Sequence, residues 1–322
     1  LTLATPVPLD TDGRAARARF VLREGQSAVF TLREGAPESC EDAALEHEES
    51  EQLFRATVDY WRHWLAGCTY TGRWRETVQR SALALKLLTF EPSGAIIAAP
   101  TCSLPEHPGG VRNWDYRYVW LRDAALTLQA FISCGYTDEA RLWRDWLLRA
   151  VAGDPADLQI MYTVDGGREL PERELDHLSG YAGSRPVRVG NGAVSQRQSD
   201  VLGAVMDAFE RARMLGLDED DDSWALQTAL VDELASHWDR PDHGLWEIRG
   251  PEQHFTHSRV MVWVALDRAV TAVERHGLDG PVERWRSLRD QVREEILAKG
   301  FDEERNTFTQ HYDTDAVDAA LL

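Results

Sequence analysis

Apolar residues along the 322-residue chain recur at helical spacing more often than they alternate. Leu121, Ala124, Ala125, Leu128 and Ile132 share one face, as do Leu202, Val205, Met206 and Phe209, and Trp285, Leu288, Val292 and Ile296. Such spacing marks the buried stripe of an amphipathic helix. Ala84, Leu87 and Leu88 suggest a further face. The pattern predicts helices over roughly 53–65, 76–90, 119–134, 137–152, 197–216, 222–238, 257–276 and 280–299. Gly135 is placed to end one helix, and Thr137-Asp138-Glu139 to open the next with an N-cap and first-turn acids. The run Val260-Met261-Val262-Trp263-Val264-Ala265-Leu266 is apolar all round, which predicts burial on every side and a place in an inner layer of helices.

Alternation is confined to the N-terminal part. The segments 16–22 and 27–32 flank Arg23-Glu24-Gly25-Gln26 and read as a β-hairpin. A lone hairpin is marginal in water, so it is expected to be the tail of a larger β domain. The stretch 35–52 is acidic and polar, as a linker would be, and Asp218 to Asp222 reads as a solvated turn between helices. Loops over about 100–118, 153–196 and 239–256 are long enough to be functional or disordered.

Composition narrows the function. A formal charge of -19 disfavours phosphate-mediated nucleic-acid binding and is compatible with a neutral substrate. Cys40, Cys68, Cys102 and Cys134 are dispersed, without a C-x-x-C pair, and read as free thiols of a reducing cytoplasm. No apolar run approaches the roughly 20 residues that span a bilayer. The chain opens Leu1-Thr2-Leu3, without the basic and apolar regions of a signal peptide, and is expected to be cut from something longer.

The densest chemistry runs from Gly109 to Asp123, where Trp114, Tyr116, Tyr118 and Trp120 interleave with Arg112, Asp115, Arg117, Arg122 and Asp123. Charges survive partial burial only when paired, so these are expected to interlock. Aromatics among hydrogen-bonding charges suit a sugar; an ion-pair network that only anchors the following helix is the alternative. In a second loop, His243-Gly244-Leu245-Trp246-Glu247-Ile248-Arg249-Gly250, Glu247 sits beside an indole. Apolar surroundings would favour its protonated form and let it donate a proton, whereas pairing with Arg249 would make it an ordinary surface carboxylate. His254 and His257 lack an evident third ligand for a metal. The glycines of 189–192 match no nucleotide-binding pattern, and no nucleophile elbow is present.

Three motifs, in order, resemble glycoside hydrolase family 15, the glucoamylase and bacterial trehalase family: Arg112 to Asp123, Gly244-Leu245-Trp246-Glu247, and Phe255 to Ala269. Gly180 to Asn191 resembles the bacterial branch. The resemblance implies a mainly α chain forming part of an (α/α)6 toroid over 74–322, a helical linker over 41–73, and the end of an N-terminal β-sandwich over 1–40. It implies cleavage of terminal α-linked glucose with inversion and no cofactor. Arg122 and Asp123 match the pair that grips the terminal glucose, Trp120 and Trp246 match aromatics of the site, and Glu247 matches the general acid. Gln196, Gln198 and Asp200 resemble the pocket rim. Ile248 stands where fungal members carry a second glutamate.

Inversion needs a second carboxylate, and Glu252, Asp302, Asp313 and Asp315 do not lie in the family's context for it. The chain is therefore expected to be inactive alone and to self-associate through exposed apolar surface. Trehalose is favoured over maltooligosaccharides as substrate, with a non-catalytic carbohydrate-binding or scaffold protein as the rival reading.

Overall fold

The computed structural model describes residues 1–13, 15–34, 45–151, 157–216 and 221–322. Cys40, most of the acidic linker and most of the 218–222 run lie outside the described residues. The chain divides into two compact units, Leu1–Cys68 and Thr69–Leu322.

In the first unit Thr2–Ala4 pairs antiparallel with Thr31–Arg33, and Asp10–Thr11 with Ala16–Arg17. The expected hairpin is therefore corrected. Its turn exists, closed by the Gln26 N–H to the Arg23 carbonyl at 2.9 Å, and Phe20 meets Phe30 across it at 5.7 Å between centroids. The strands, however, pair with residues nearer the N-terminus. Val21, Leu22 and Leu32 are exposed, so no buried face fixes a register between the two arms. Helix α1, His47–Ala66, starts earlier than its apolar residues indicate, and Glu49 accepts the Glu46 N–H at 3.0 Å in its first turn.

The second unit holds α2 (Arg75–Leu87), α3 (Leu121–Ser133), α4 (Asp138–Ala150), α5 (Asp200–Met214), α6 (Asp221–His237), α7 (Thr256–His276) and α8 (Val282–Lys299). Helices α3, α5 and α7 pack side by side, while α4 and α6 pack on each other and on that row, and α8 packs on α7. The protein is mainly helical, with the paired layers of an (α/α)6 toroid. Predicted stripes on α3, α5 and α8 are the ones that face the core: Leu121, Ala124, Ala125, Leu128, Met206 and Trp285 are all buried.

Two packing expectations are corrected. On α2 the inward stripe runs through Val78, Ala82 and Leu85, which face Ala130, Phe131 and Cys134, whereas Leu87 is exposed. The buried Lys86–Glu139 ion pair, 3.0 Å long, ties α2 to α4 and helps set which side turns inward. On α7, Val262, Ala265 and Leu266 are buried but Val260 is exposed. The more fully enclosed helix is α5, which can be surrounded because Gly203, Ala204 and Ala208 are small. Its Asp207 is knitted to both neighbours, accepting from Gln129 of α3 at 2.9 Å and from Arg268 of α7 at 2.7 Å.

The long loops are built structures. Residues 102–105 pair with 113–115, and 173–174 with 188–189. Val119–Trp120, predicted as helix, pairs with Met161–Tyr162, so that α3 begins one residue after Trp120.

A Cβ on Gly203 would meet the Met261 carbonyl oxygen of α7 at 2.3 Å. Gly203→Ala gains about 1 kcal/mol of helix propensity, but the clash is with backbone that has nowhere to move. The variant should be destabilised by about 1–3 kcal/mol from overpacking, read as a lower denaturation midpoint; an unchanged or higher midpoint would mean that α5 and α7 separate freely.

Candidate active site

The loop before α3 is anchored by Asp115, which is fully buried. The Arg117 fork donates to its two oxygens at 2.8 Å each, and the Gly190 N–H donates at 3.1 Å. Burial pushes the Asp115 carboxyl up, but the Arg117 fork and the N–H groups of Arg117 and Gly190 outweigh it and hold it below its ordinary value. Gly190 has φ +82, and a Cβ there would strike the Pro171 carbonyl at 2.0 Å, so only glycine fits. Asn191 donates to the Asp115 carbonyl at 3.2 Å, and Asn113 to the carbonyls of Gly110 and Pro186 at 3.1 Å each. The expected interlocking is present with one change of partner: Arg112 pairs with Glu106 at 2.6 Å.

This scaffold presents Trp120, Arg122 and Asp123 at the start of α3. Arg122 is the electrostatic centre, with its guanidinium 3.3 Å from Asp123, 3.6 Å from Asp200 and 3.5 Å from Glu247. It also donates to Gln198 Oε1 at 2.9 Å. Burial works against its charge, but Asp200, Asp123 and Glu247 outweigh burial and keep it protonated. Asp200 is 1% exposed, and neither of its oxygens has a hydrogen-bond partner among the described residues. Burial raises its carboxyl pKa, with Arg122 offsetting only part of the rise.

Glu247 comes from the other loop. Its Oε1 accepts the Trp120 indole N–H at 2.6 Å across 127 residues. The expected neighbour, Trp246, turns elsewhere: its N–H donates to Asp318 at 3.1 Å. Polar donors, not an apolar cover, therefore hold Glu247 Oε1. The alternative pairing with Arg249 is excluded by geometry, because Arg249 pairs with Glu172 at 2.7 Å and lies over Trp114, 4.4 Å from the ring centroid. Glu247 adopts φ +55, a left-handed conformation unusual for a residue with a side chain and costing of order 1–3 kcal/mol. Such strain collects at functional sites, where the surroundings over-determine it.

Trp120, Arg122, Asp123, Trp246 and Glu247 line one cavity of about 810 Å³, together with Glu106, Trp114, Tyr116 and Arg249. Gln198 and Asp200 stand behind Arg122 and are buried. Glu252, Asp302, Asp313 and Asp315 do not line this cavity. Among the described residues no group of His, Cys, Asp and Glu could hold a metal ion; His254 stacks on Tyr312 at 5.7 Å instead. Cys68, Cys102 and Cys134 are free thiols, and among the described residues no helix is long and apolar enough to cross a membrane.

Sequence reasoning missed Asp242. It is buried and accepts the Ser199 N–H at 2.8 Å and the Gly244 N–H at 3.1 Å, clipping the 196–200 loop to the loop of Glu247. Burial pushes its carboxyl up, against these hydrogen bonds. An aspartate two residues before a glycine is a turn signature, and that half of its role was readable.

Comparison with known proteins fits this geometry. Residues 72–322 match the family described as glycosyl hydrolases family 15. The chain is 42% identical over 329 residues to a trehalase of Mycolicibacterium smegmatis, covering 100% of this chain and 48% of that protein. It is 40% identical to a trehalase of Mycobacterium tuberculosis, covering 100% of this chain and 47% of that one. The chain thus spans about half the length of the curated relatives it matches. A glycosidase variant solved in complex with glucose shares the fold at a TM-score of 0.59 and 22% identity, over 80% of this chain and 64% of its own.

Asp200 supplies a pH test. A carboxyl whose folded pKa lies above its unfolded value of about 3.9 binds more protons folded than unfolded between the two. The stability it lends is complete below the lower value and is lost as pH rises through the folded one. Asp200→Asn cannot ionise, so its stability relative to the native protein should increase as pH rises from about 4 toward neutrality. Denaturant midpoints across that range check this; a constant difference would place the carboxylate in a polar setting.

Proposed function

The chain belongs to glycosyl hydrolases family 15, and on that premise we propose that it grips the terminal sugar and supplies the proton donor in an inverting α-glucoside hydrolase. The observation that carries this reading is the meeting of Glu247 with Trp120 and Arg122 on the wall of one cavity. Arg122 and the exposed oxygen of Asp123 would hold hydroxyls of the terminal glucose, with Trp120 and Trp246 lining its faces. Glu247 Oε1 is occupied by the Trp120 N–H and faced by Arg122, which leaves Oε2 to carry the proton. That proton passes to the glycosidic oxygen as the C1–O bond breaks. Water then adds to C1 from the opposite face, losing its proton to a second carboxylate about 6.5–9.5 Å from the acid.

The cavity wall has two other carboxylates among the described residues. Glu106 is engaged by Arg112 and by the Trp114 N–H at 3.1 Å, and Asp123 belongs to the glucose grip. Neither is assigned as the base, which this reading leaves to a carboxylate outside the described residues. With no base assigned on the cavity wall, the described residues are proposed to bind sugar without turning it over. Trehalose is the proposed substrate, supported by the trehalase relatives at 40–42% identity. Ile248, in place of a second glutamate, fits a site with fewer polar contacts beyond the first sugar.

In the full-length protein Glu247→Gln should lower hydrolysis of trehalose by about 10²- to 10⁴-fold, the usual worth of a general acid, while calorimetry shows glucose binding retained. Unchanged hydrolysis would remove Glu247 from the chemistry. Proton NMR of the initial products from trehalose should show α- and β-glucose in equal amounts, the attacked sugar released as β and the leaving sugar as α, and rates on trehalose should exceed those on maltose; α-glucose alone, or the reverse order of rates, would overturn inversion or the substrate respectively.

A further inference from the structure

Gln196 and Gln198 have no task in the mechanism above. They line a second cavity of about 480 Å³, to which Arg240 also contributes, and their side chains reach Arg122 and the Glu247 main chain on the wall of the first. Their amides are oriented head to tail. Arg122 donates to Gln198 Oε1 at 2.9 Å, Gln198 Nε2 donates to Gln196 Oε1 at 3.2 Å, and Gln196 Nε2 donates to the Glu247 carbonyl at 3.3 Å and to that of Ile248 at 3.4 Å. The Arg122 contact to Glu247 Oε1, 3.5 Å, completes a circuit that leaves from the Glu247 carboxylate and returns to its main chain.

We propose that Gln196 and Gln198 are positioning residues whose two amides close a hydrogen-bonded ring that holds the left-handed backbone and the carboxylate of Glu247 in register with Arg122. The proposal rests on the reading of Glu247 as the acid. Only a side chain with a donor and an acceptor at its two ends can pass a hydrogen bond onward without changing its direction, and a neutral amide does so without titrating. A carboxylate at 198 would break the ring twice. It would face the Gln196 acceptor with another acceptor, and its charge-assisted bond would draw Arg122 away from Glu247. A site residue held at φ +55 needs such bracing, and the ring takes hold of the two carbonyls beside that strained torsion.

The test uses the full-length protein and two readouts. Gln196→Leu and Gln198→Leu should lower kcat on trehalose by about 10- to 100-fold, the scale of a small misplacement of a reacting group, with KM and calorimetric glucose affinity unchanged. The indole ¹H–¹⁵N resonance of Trp120, identified by its loss in Trp120→Phe, should move in both variants because it reports the bond to Glu247. That resonance tests the ring even if the native protein hydrolyses no trehalose, so the two readings fail separately. Gln198→Glu, close in shape, should be at least as damaging and carries the test if a leucine variant does not fold. Arg240→Ala, elsewhere on the lining of the second cavity, should change neither readout. A fall in glucose affinity with kcat intact would make the glutamines sugar contacts. An unmoved Trp120 resonance, or an equal loss in Arg240→Ala, would likewise overturn the proposal.

Discussion

A partly buried guanidinium sets the terms for the site. Arg122 cannot shed its proton, and taking its charge out of water is tolerable only if anions and hydrogen-bond acceptors surround it. Asp123, Asp200, Glu247 and the Gln198 amide do so, drawn from three separate segments. Each of those groups is in turn placed by something else: Asp200 by the start of α5, Glu247 by the Trp120 indole, Gln198 by Gln196. Removing the cation would leave Asp200 as a buried carboxyl without its counter-charge, which is a stronger constraint than any single contact with solvent-exposed charge.

The scaffold behind Arg122 obeys the same rule at a second centre. Asp115 is a fully buried carboxylate satisfied by the Arg117 fork and backbone N–H groups, and through Gly190 it fixes the 180–191 segment against the strand at 113–115. The difference in environment separates the two aspartates chemically. Asp115, with several donors, is held below the ordinary carboxyl range, while Asp200, with a single distant guanidinium, is raised above it. One anchors the loop as a stable anion; the other balances a cation at the edge of what burial permits.

Much of this was legible in the chain. Helical stripes on α3 and α8 were readable because each sets one apolar face against polar neighbours, and the stripe on α5 because its large apolar residues do lie inward. The stripe on α2 was not, since that helix is apolar on two sides and a buried lysine–glutamate pair helps orient it. The enclosure of α5 was missed for a related reason: helical periodicity weighs large apolar residues, whereas α5 is enclosed through the small ones, Gly203, Ala204 and Ala208. In the site, Trp120, Arg122, Asp123, Trp246 and Glu247 were all named and all line one cavity. The partners were not readable. Adjacency in sequence suggested that Trp246 would cover Glu247, but the indole that reaches it is Trp120, and the short loop turns of Gln196, Gln198 and Asp242 point sideways into the protein.

The bond between Trp120 and Glu247 also bears on how the protein comes to be folded. It joins positions 127 residues apart, and every path between them runs through α3, α4, α5 and α6. The turn that starts α3 can form locally, but Arg122 acquires its distant partners Asp200, Gln198 and Glu247 only when those segments arrive. Glu247 can take its strained conformation only once the 196–200 loop and the intervening helices are in place, because the entropy of closing so long a loop must be recovered by contacts formed along the way. The turn at 120–123 can therefore form early and locally, while the contact that joins it to Glu247 forms late, so that a half-folded chain can hold that turn without Glu247 beside it.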